Sequence, residues 1–309
     1  MNKSYCRPLC SDVQVEPFID AILDICNEED LRNAVNLITS AEKDIQFYEG
    51  KSTLTHHDFR DFKFRSDDKR HELRMKIISE LVSFERPEND DDIAIENGGA
   101  KPRTTVQSDN KAFIVIGPPA SGKSRVASSI ADSSGSYILD SDYAKRKLPE
   151  YNIKIGSASL IHEESSKLIF NYESSDLLTY CISNKYNMVI PKIGNSKNVL
   201  IKFCEELLSV GYTIYLICID LDRKPATKRA FHRYKNTRRY VPLSLIFDGF
   251  GNDPVLNYFR IIHSKSDSKI FSGYAQISTD VPLGSKFILV DVENIDILKT
   301  MPSLLEIDL

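Results

Sequence analysis

Lys111-Ala112-Phe113-Ile114-Val115-Ile116-Gly117-Pro118-Pro119-Ala120-Ser121-Gly122-Lys123-Ser124-Arg125-Val126 is the stretch whose reading decides the fold. The apolar run from Ala112 to Ile116 has the length and β-branched content of a buried parallel strand. Gly117 to Ser124 then spells G-x-x-x-x-G-K-S, and Arg125 to Ala131 reads as a helix. Strand, glycine-rich loop and helix in that order form a phosphate cradle. Backbone N–H groups around Gly117, Ala120, Ser121 and Gly122 turn toward the anion, and the helix N-terminus that carries Arg125 stands behind them. Lys123 supplies a mobile cation for the β and γ phosphates, and Ser124 offers a hydroxyl to Mg²⁺, a cation that prefers oxygen ligands. The motif announces ATP or another nucleoside triphosphate. It leaves the fate of the phosphate open.

Working outward, the chain after Lys111 alternates apolar strands with helices. Strands are expected over 113–116, 137–139, 188–190, 213–219 and 287–290, with helices between them, among them 159–183 and 198–210. Such alternation predicts an α/β fold with a parallel sheet covered by helices on both faces. Upstream, residues 16–49 keep a helical apolar spacing through Phe18, Ile19, Ile22 and Leu23, then Leu31, Ala34, Val35 and Ile38. A third helix is expected over 67–84. The stretch 85–110 contains the acidic run Glu88-Asn89-Asp90-Asp91-Asp92, then Gly98-Gly99 and Pro102, and reads as a linker or mobile loop. Three parts follow: a helical N-terminal region over 1–50, a helix and acidic linker over 51–110, and a kinase-like domain over 111–309.

A chain of 309 residues with formal charge −4 can bury a large core and has no global attraction to nucleic acid or anionic membrane. No apolar stretch approaches the roughly 20 residues of a membrane span, and Met1 to Cys6 opens no apolar signal region. The six cysteines, Cys6, Cys10, Cys26, Cys181, Cys204 and Cys218, show no complete metal spacing. A reduced, cytoplasmic protein is expected, or one delivered into the cytosol of another cell.

The strand over 137–139 ends in Asp140-Ser141-Asp142. In open α/β sheets ligands gather at the carboxyl ends of the strands, so both carboxylates belong in the crevice of the phosphate loop. One carboxylate near Mg²⁺ and one free to take a proton is what phosphoryl transfer to a hydroxyl requires. Asp140-Ser141-Asp142-Tyr143-Ala144-Lys145, followed by Leu148-Pro149, resembles the D-x-D-x-x-K…P segment of the zeta toxin family, P-loop kinases of toxin–antitoxin systems and some bacterial effectors. Arg70-His71-Glu72-Leu73, His162-Glu163-Glu164-Ser165-Ser166, Val189 to Gly194, the arginine-bearing segment from Ala226 to Pro242, and Tyr274-Ala275 with Asp280-Val281-Pro282 are similar, in order, to segments of one zeta-like branch.

The resemblance implies a P-loop kinase fold and an ATP- and Mg²⁺-dependent small-molecule kinase. Asp142 matches the proton acceptor, and Asp140 joins Ser124 in the metal set. Arg229 and Arg239 match lid arginines that neutralise the transferring phosphoryl, and Arg233 lies one helical turn from Arg229. Lys145, His162, Glu163, Glu164, Lys192 and Gly194 are the expected substrate-binding set. The implied acceptor is UDP-N-acetylglucosamine. This chain, however, has Pro191-Lys192-Ile193-Gly194 where the toxins that use that sugar nucleotide place an acid and a Thr. A zeta-like subgroup that phosphorylates NAD on its adenosine ribose is the second template, and a nucleotide-binding regulator without transferase activity is the third reading. Family kinases are restrained by a small helical antitoxin. Residues 1–50 are therefore expected to be either a cis-acting inhibitory segment or a structural extension packed on the kinase.

Overall fold

The structure, a computed structural model, describes residues 8–282 and 285–299. Six strands, β1 (Lys111–Ile116), β2 (Tyr137–Ile138), β3 (Met188–Lys192), β4 (Thr213–Asp220), β5 (Gly273–Ser278) and β6 (Ile288–Glu293), form one sheet in the order β2-β3-β1-β4-β5-β6. All neighbours pair in parallel except β5 and β6, which are antiparallel. Ala112 to Ile116 are buried without a break, because helices cover both faces of the central strands. The sheet expected from the sequence is present, with one antiparallel strand at its edge. The expected strand over 287–290 is the start of β6. β5 went unread.

The helices are α1 (Asp12–Phe18), α2 (Glu28–Phe47), α3 (Asp67–Ser83), α4 (Lys123–Ser134), α5 (Ser141–Lys147), α6 (Ser157–Leu160), α7 (His162–Phe170), α8 (Leu177–Ser183), α9 (Lys197–Ser209), α10 (Arg223–Thr237), α11 (Asp253–Ile262) and α12 (Asp296–Lys299). The single helix expected over 159–183 is broken at Ile161 and again after Phe170. Glu173 and Ser174 there adopt left-handed backbone angles, and Asp176 caps the restart by accepting from Thr179 N–H.

Two cores result. The larger one joins α3 to both faces of the sheet. The smaller one packs Val15, Phe18, Ile22, Ile38 and Ala41 of the N-terminal region against Ala226, Phe231 and Tyr234 of α10 and Tyr240, Leu243 and Ile246 beyond it. One buried hydrogen bond and two exposed ion pairs cross this joint. The Tyr240 hydroxyl donates to Glu42 at 2.6 Å, and Lys224 and Lys228 both pair with Asp24.

The linker expected over 85–110 is packed structure instead. Ile93 and Ala100 are buried in the main core. Arg86, also buried, binds Asp132 at 2.6 Å and lies 3.6 Å from Asp90, and Tyr143 donates to Asp90 at 2.6 Å. Acidic composition suggests solvation, and Glu88 and Asp92 are indeed exposed, but Asp90 is engaged by Arg86 four residues upstream and by Tyr143, and Asp91 by basic residues far along the chain.

Candidate active site

A cleft of about 1960 Å³ opens at the carboxyl ends of β1 and β3, against α4. The phosphate loop forms its floor. Gly122 caps α4 with φ +86°, and a Cβ there would meet the Phe287 ring at 3.1 Å. Gly117 lets the loop pass close to β4, since a Cβ would lie 2.8 Å from the Ile219 carbonyl oxygen. Lys123 donates to the carbonyls of Gly117 and Pro118 at 2.8 and 2.6 Å. Burial, reinforced by the positive charge of Arg233, pulls its ammonium down to about 7 against the opposing pull of Asp140 and Asp142. Ala120, Ser124 and Arg125 line the cleft. Ser121 stands behind the loop, and the hydroxyl of Thr279 donates to its carbonyl at 2.9 Å.

The carboxylates come from the turn between β2 and α5. Asp140 caps α5 by accepting from Asp142 N–H at 2.9 Å, which fixes both side chains at the strand end. Burial raises the pKa of Asp140, with Asp142 adding to the rise. Burial opposes ionisation of Asp142 too, yet Arg239 and Lys145 outweigh it and hold that carboxyl far below the usual range. Lys145 reaches Asp142 at 2.9 Å and Arg239 forms a direct ion pair with it. Asp91, from the acidic run, lies 2.5 Å from Arg146 and 3.5 Å from Arg239. It is a site residue missed by the sequence reading, because acidic runs are more often solvated than paired.

Arg229, Arg233 and Arg239 all line the cleft from α10 and the segment after it. Arg229 donates to the Thr279 carbonyl at 2.7 Å. Burial and the neighbouring Arg239 lower the pKa of Arg233 to about 10. Its Nε is buried without a hydrogen-bond partner, as is the Ser121 hydroxyl. The orphaned Arg233 Nε, in the cleft beside the phosphate loop, fits the oxygen-rich triphosphate that the motif implies.

Of the expected substrate set, Lys145, His162, Lys192 and Gly194 line the cleft, and Glu163 and Glu164 do not. The helical period explains the split. His162, Ser166 and Phe170 recur every fourth residue and share the face of α7 that lines the cleft. Glu163 points to solvent. Glu164 faces inward, where it accepts from Arg70 at 2.7 and 2.8 Å, from Arg74 at 2.6 Å and from the Thr53 hydroxyl. Arg70 also binds Glu150 at 2.8 Å, and both side chains are fully buried. Glu164 therefore belongs to a buried ion network that locks α3 onto α7. Desolvation in the cleft and the Lys145 ammonium lower the pKa of His162 against the opposing pull of Asp142 and Glu163.

The N-terminal region borders this cleft. Among the described residues up to 50, Ile45 alone lines it, while Ala120 of the loop packs at the margin of the smaller core.

The zeta toxin family model matches residues 96–252. No curated protein sequence matches the chain. Among solved structures, a chain from the characterised PezAT chromosomal toxin–antitoxin system of Streptococcus pneumoniae superposes with TM-score 0.51 at 16% identity, covering 79% of this chain and 90% of that one. The AvrRxo1-ORF1:-ORF2 complex with ATP gives TM-score 0.42 at 16% identity over 76% of this chain and 69% of that one. A gluconokinase from Sinorhizobium meliloti gives 0.33 at 13% over 57% and 86%.

Proposed function

Because the chain belongs to the zeta toxin family and has its P-loop kinase-like fold, we propose that it uses ATP and Mg²⁺ to phosphorylate a ribose or sugar hydroxyl of a nucleotide-type small molecule. The convergence of Lys123, Asp142 and Arg239 in one cleft carries this reading. A nucleotide switch has no use for a proton acceptor beside its phosphate loop.

The donor half works through charge. Lys123 leaves the loop carbonyls for the β and γ phosphates, and the orphaned Arg233 Nε finds an acceptor there. Ser124 and Asp140 would hold Mg²⁺, which when bound neutralises charge across the β and γ phosphates. Asp142 takes the proton of the acceptor hydroxyl as that oxygen attacks the γ phosphorus and the bond from the γ phosphorus to the bridging oxygen breaks, releasing ADP. Its pairing with Arg239 makes it a weak base. As Arg239 turns to the phosphoryl group, the arginine stabilises the charge that develops there, and Asp142 loses the cation that suppresses its basicity. One movement serves both ends of the reaction.

The acceptor is UDP-N-acetylglucosamine. Lys192 and Gly194 stand where toxins with that substrate carry an acid and a Thr, and the Lys192 cation suits a diphosphate sugar and a dinucleotide alike, so the adenosine ribose of NAD is the second reading. The N-terminal region acts as a strut that holds α10 and its arginines over the cleft. Incubation with γ-labelled ATP, Mg²⁺ and a panel of nucleotide sugars and dinucleotides tests the function. A labelled sugar nucleotide supports the first acceptor and a labelled dinucleotide the second. Slow hydrolysis alone would return the protein to the class of nucleotide-binding regulators.

A further inference from the structure

The acceptor side of the cleft carries a feature that phosphate chemistry does not explain. α7 lines it with His162, Ser166 and Phe170, and α9 faces it with Val199, Leu200 and Phe203. Phe170 and Phe203 meet edge to face, with centroids 6.1 Å apart and planes at 89°. Val199, 69% exposed, extends the apolar wall outward. Lys192, at the end of β3, holds its ammonium 3.5 Å from the Phe170 centroid and 5.1 Å from that of Phe203. Among the described residues no carboxylate forms an ion pair with it. Burial lowers its pKa to about 8, and Asp140 opposes that shift only from a distance.

An ammonium parked on ring faces in a ligand cleft is a displaceable cap. Ring faces hold it by about 0.5–2 kcal/mol, less than a phosphate oxygen offers in the same setting. When an anionic ligand draws the ammonium away, the face of Phe170 is uncovered, with the Phe203 ring standing at a right angle to it. A ligand that combines a phosphate with a planar heteroaromatic ring satisfies both features at once.

We propose that Phe170 and Phe203 form a base-stacking subsite for the acceptor, in which the nucleobase of a nucleoside diphosphate displaces Lys192 from the rings and Lys192 moves to the acceptor's phosphate. The proposal rests on the reading of the acceptor as a nucleotide and adds the residues that recognise its base. Base–aromatic stacking is sequence-tolerant and is worth about 1–3 kcal/mol per base on alanine substitution.

The test is calorimetric titration of the full chain, saturated with a non-hydrolysable ATP analogue and Mg²⁺, with UDP-N-acetylglucosamine, with NAD, and with base-free N-acetylglucosamine 1-phosphate and ribose 5-phosphate. For the nucleotide that binds, Phe170→Ala and Phe203→Ala should raise Kd by about 5- to 150-fold and leave affinity for the ATP analogue unchanged. Phe170→Leu and Phe203→Leu keep the apolar volume and lack the ring, so they should show the same defect. Phe170→Tyr should restore binding. The base-free compounds should be insensitive to all four ring-removing variants. Lys192→Gln should weaken the diphosphate-bearing nucleotide and spare the corresponding nucleoside. A wild-type Kd in the leucine variants would overturn the stacking subsite while leaving the nucleotide acceptor standing. Transfer to a base-free alcohol with neither nucleotide bound would overturn the acceptor reading and the subsite with it.

Discussion

Replacing Glu164 with Gln separates a structural role from a substrate-binding one. In the structure its carboxylate accepts three charged hydrogen bonds, two from Arg70 and one from Arg74, and a fourth from the Thr53 hydroxyl. With Glu150 completing the set, two arginines face two glutamates in a region closed to water. A neutral amide leaves one positive charge uncompensated and turns an N–H toward the guanidinium groups. Breaking one partner of such a buried pair costs about 3–5 kcal/mol. The protonation equilibrium gives a similar figure. Burial raises the Glu164 pKa, yet Arg70 and Arg74 overcome this and bring it from 4.5 to about 2, equivalent to about 3 kcal/mol of native-state stabilisation. A chain of this length has an unfolding entropy of about 0.65 kcal/mol/K, so Glu164→Gln should lower Tm by about 5 °C at pH 7. The sign with pH follows from the depressed pKa. The stabilisation is complete above about pH 4.5 and is lost as pH falls toward 2, so the gap between variant and wild type should narrow in acid. Differential scanning calorimetry reads the Tm, and kinase assays well below it read the acceptor KM, which should not change. An unaltered Tm with a raised acceptor KM would refute the assignment and return Glu164 to the cleft.

Asp142→Asn should bind a non-hydrolysable ATP analogue nearly as wild type does and lose about 10²–10⁴ in phosphoryl transfer; single-turnover assays with labelled ATP check it, and wild-type turnover would rule Asp142 out as the proton acceptor. Lys123, with its pKa lowered to about 7, should take up a proton as it engages phosphate. Nucleotide affinity should therefore be full below pH 7 and decline above it, with proton uptake visible as a buffer-dependent binding enthalpy; Lys123→Ala should lose both binding and uptake, and a pH-independent affinity would contradict the lowered pKa. Deleting residues 1–50 should reduce turnover, because it strips the apolar partner from α10 and removes the Glu42 acceptor of Tyr240; a folded truncation with higher turnover would instead establish residues 1–50 as an inhibitory segment.

The donor half was legible in the sequence because its chemistry is local. Gly117 to Ser124 lies within eight consecutive residues, and the β-branched run before it and the helix after it can be read from spacing alone. Asp140 and Asp142 line the same cleft as the loop, as strand ends in parallel sheets have a fixed relation to the ligand crevice. Misreadings arose where a residue's role depends on a distant partner. Glu164 meets Arg70 across 94 positions and Thr53 across 111, so nothing near it announces burial. Asp91 in the acidic run finds Arg146 and Arg239 far along the chain, where composition alone predicts solvent. β5 alternates buried and half-buried residues and includes Gly273 and Gln276, which hides an interior strand under a half-polar pattern. Its parallel pairing with β4 completes it.

The same distinction bears on why the acceptor resists identification more than the donor. Triphosphate recognition uses backbone N–H groups and one lysine, a constellation that a short sequence can encode whole. The proposed acceptor side is built from one helix face of α7, another of α9 and the end of β3, and none of these is a motif. His162, Ser166 and Phe170 become a wall only when the four-residue spacing of α7 is laid against the sheet. Glu163 and Glu164, though adjacent to His162 in sequence, then fall about 100° and 200° around the helix axis, one into solvent and one into the ion network. Substrate choice in this chain therefore turns on which side chains a helix rotation delivers to the cleft. The residues that set it are to be sought among Phe170, Phe203 and Lys192, and the two acids beside His162 serve the surface and the scaffold.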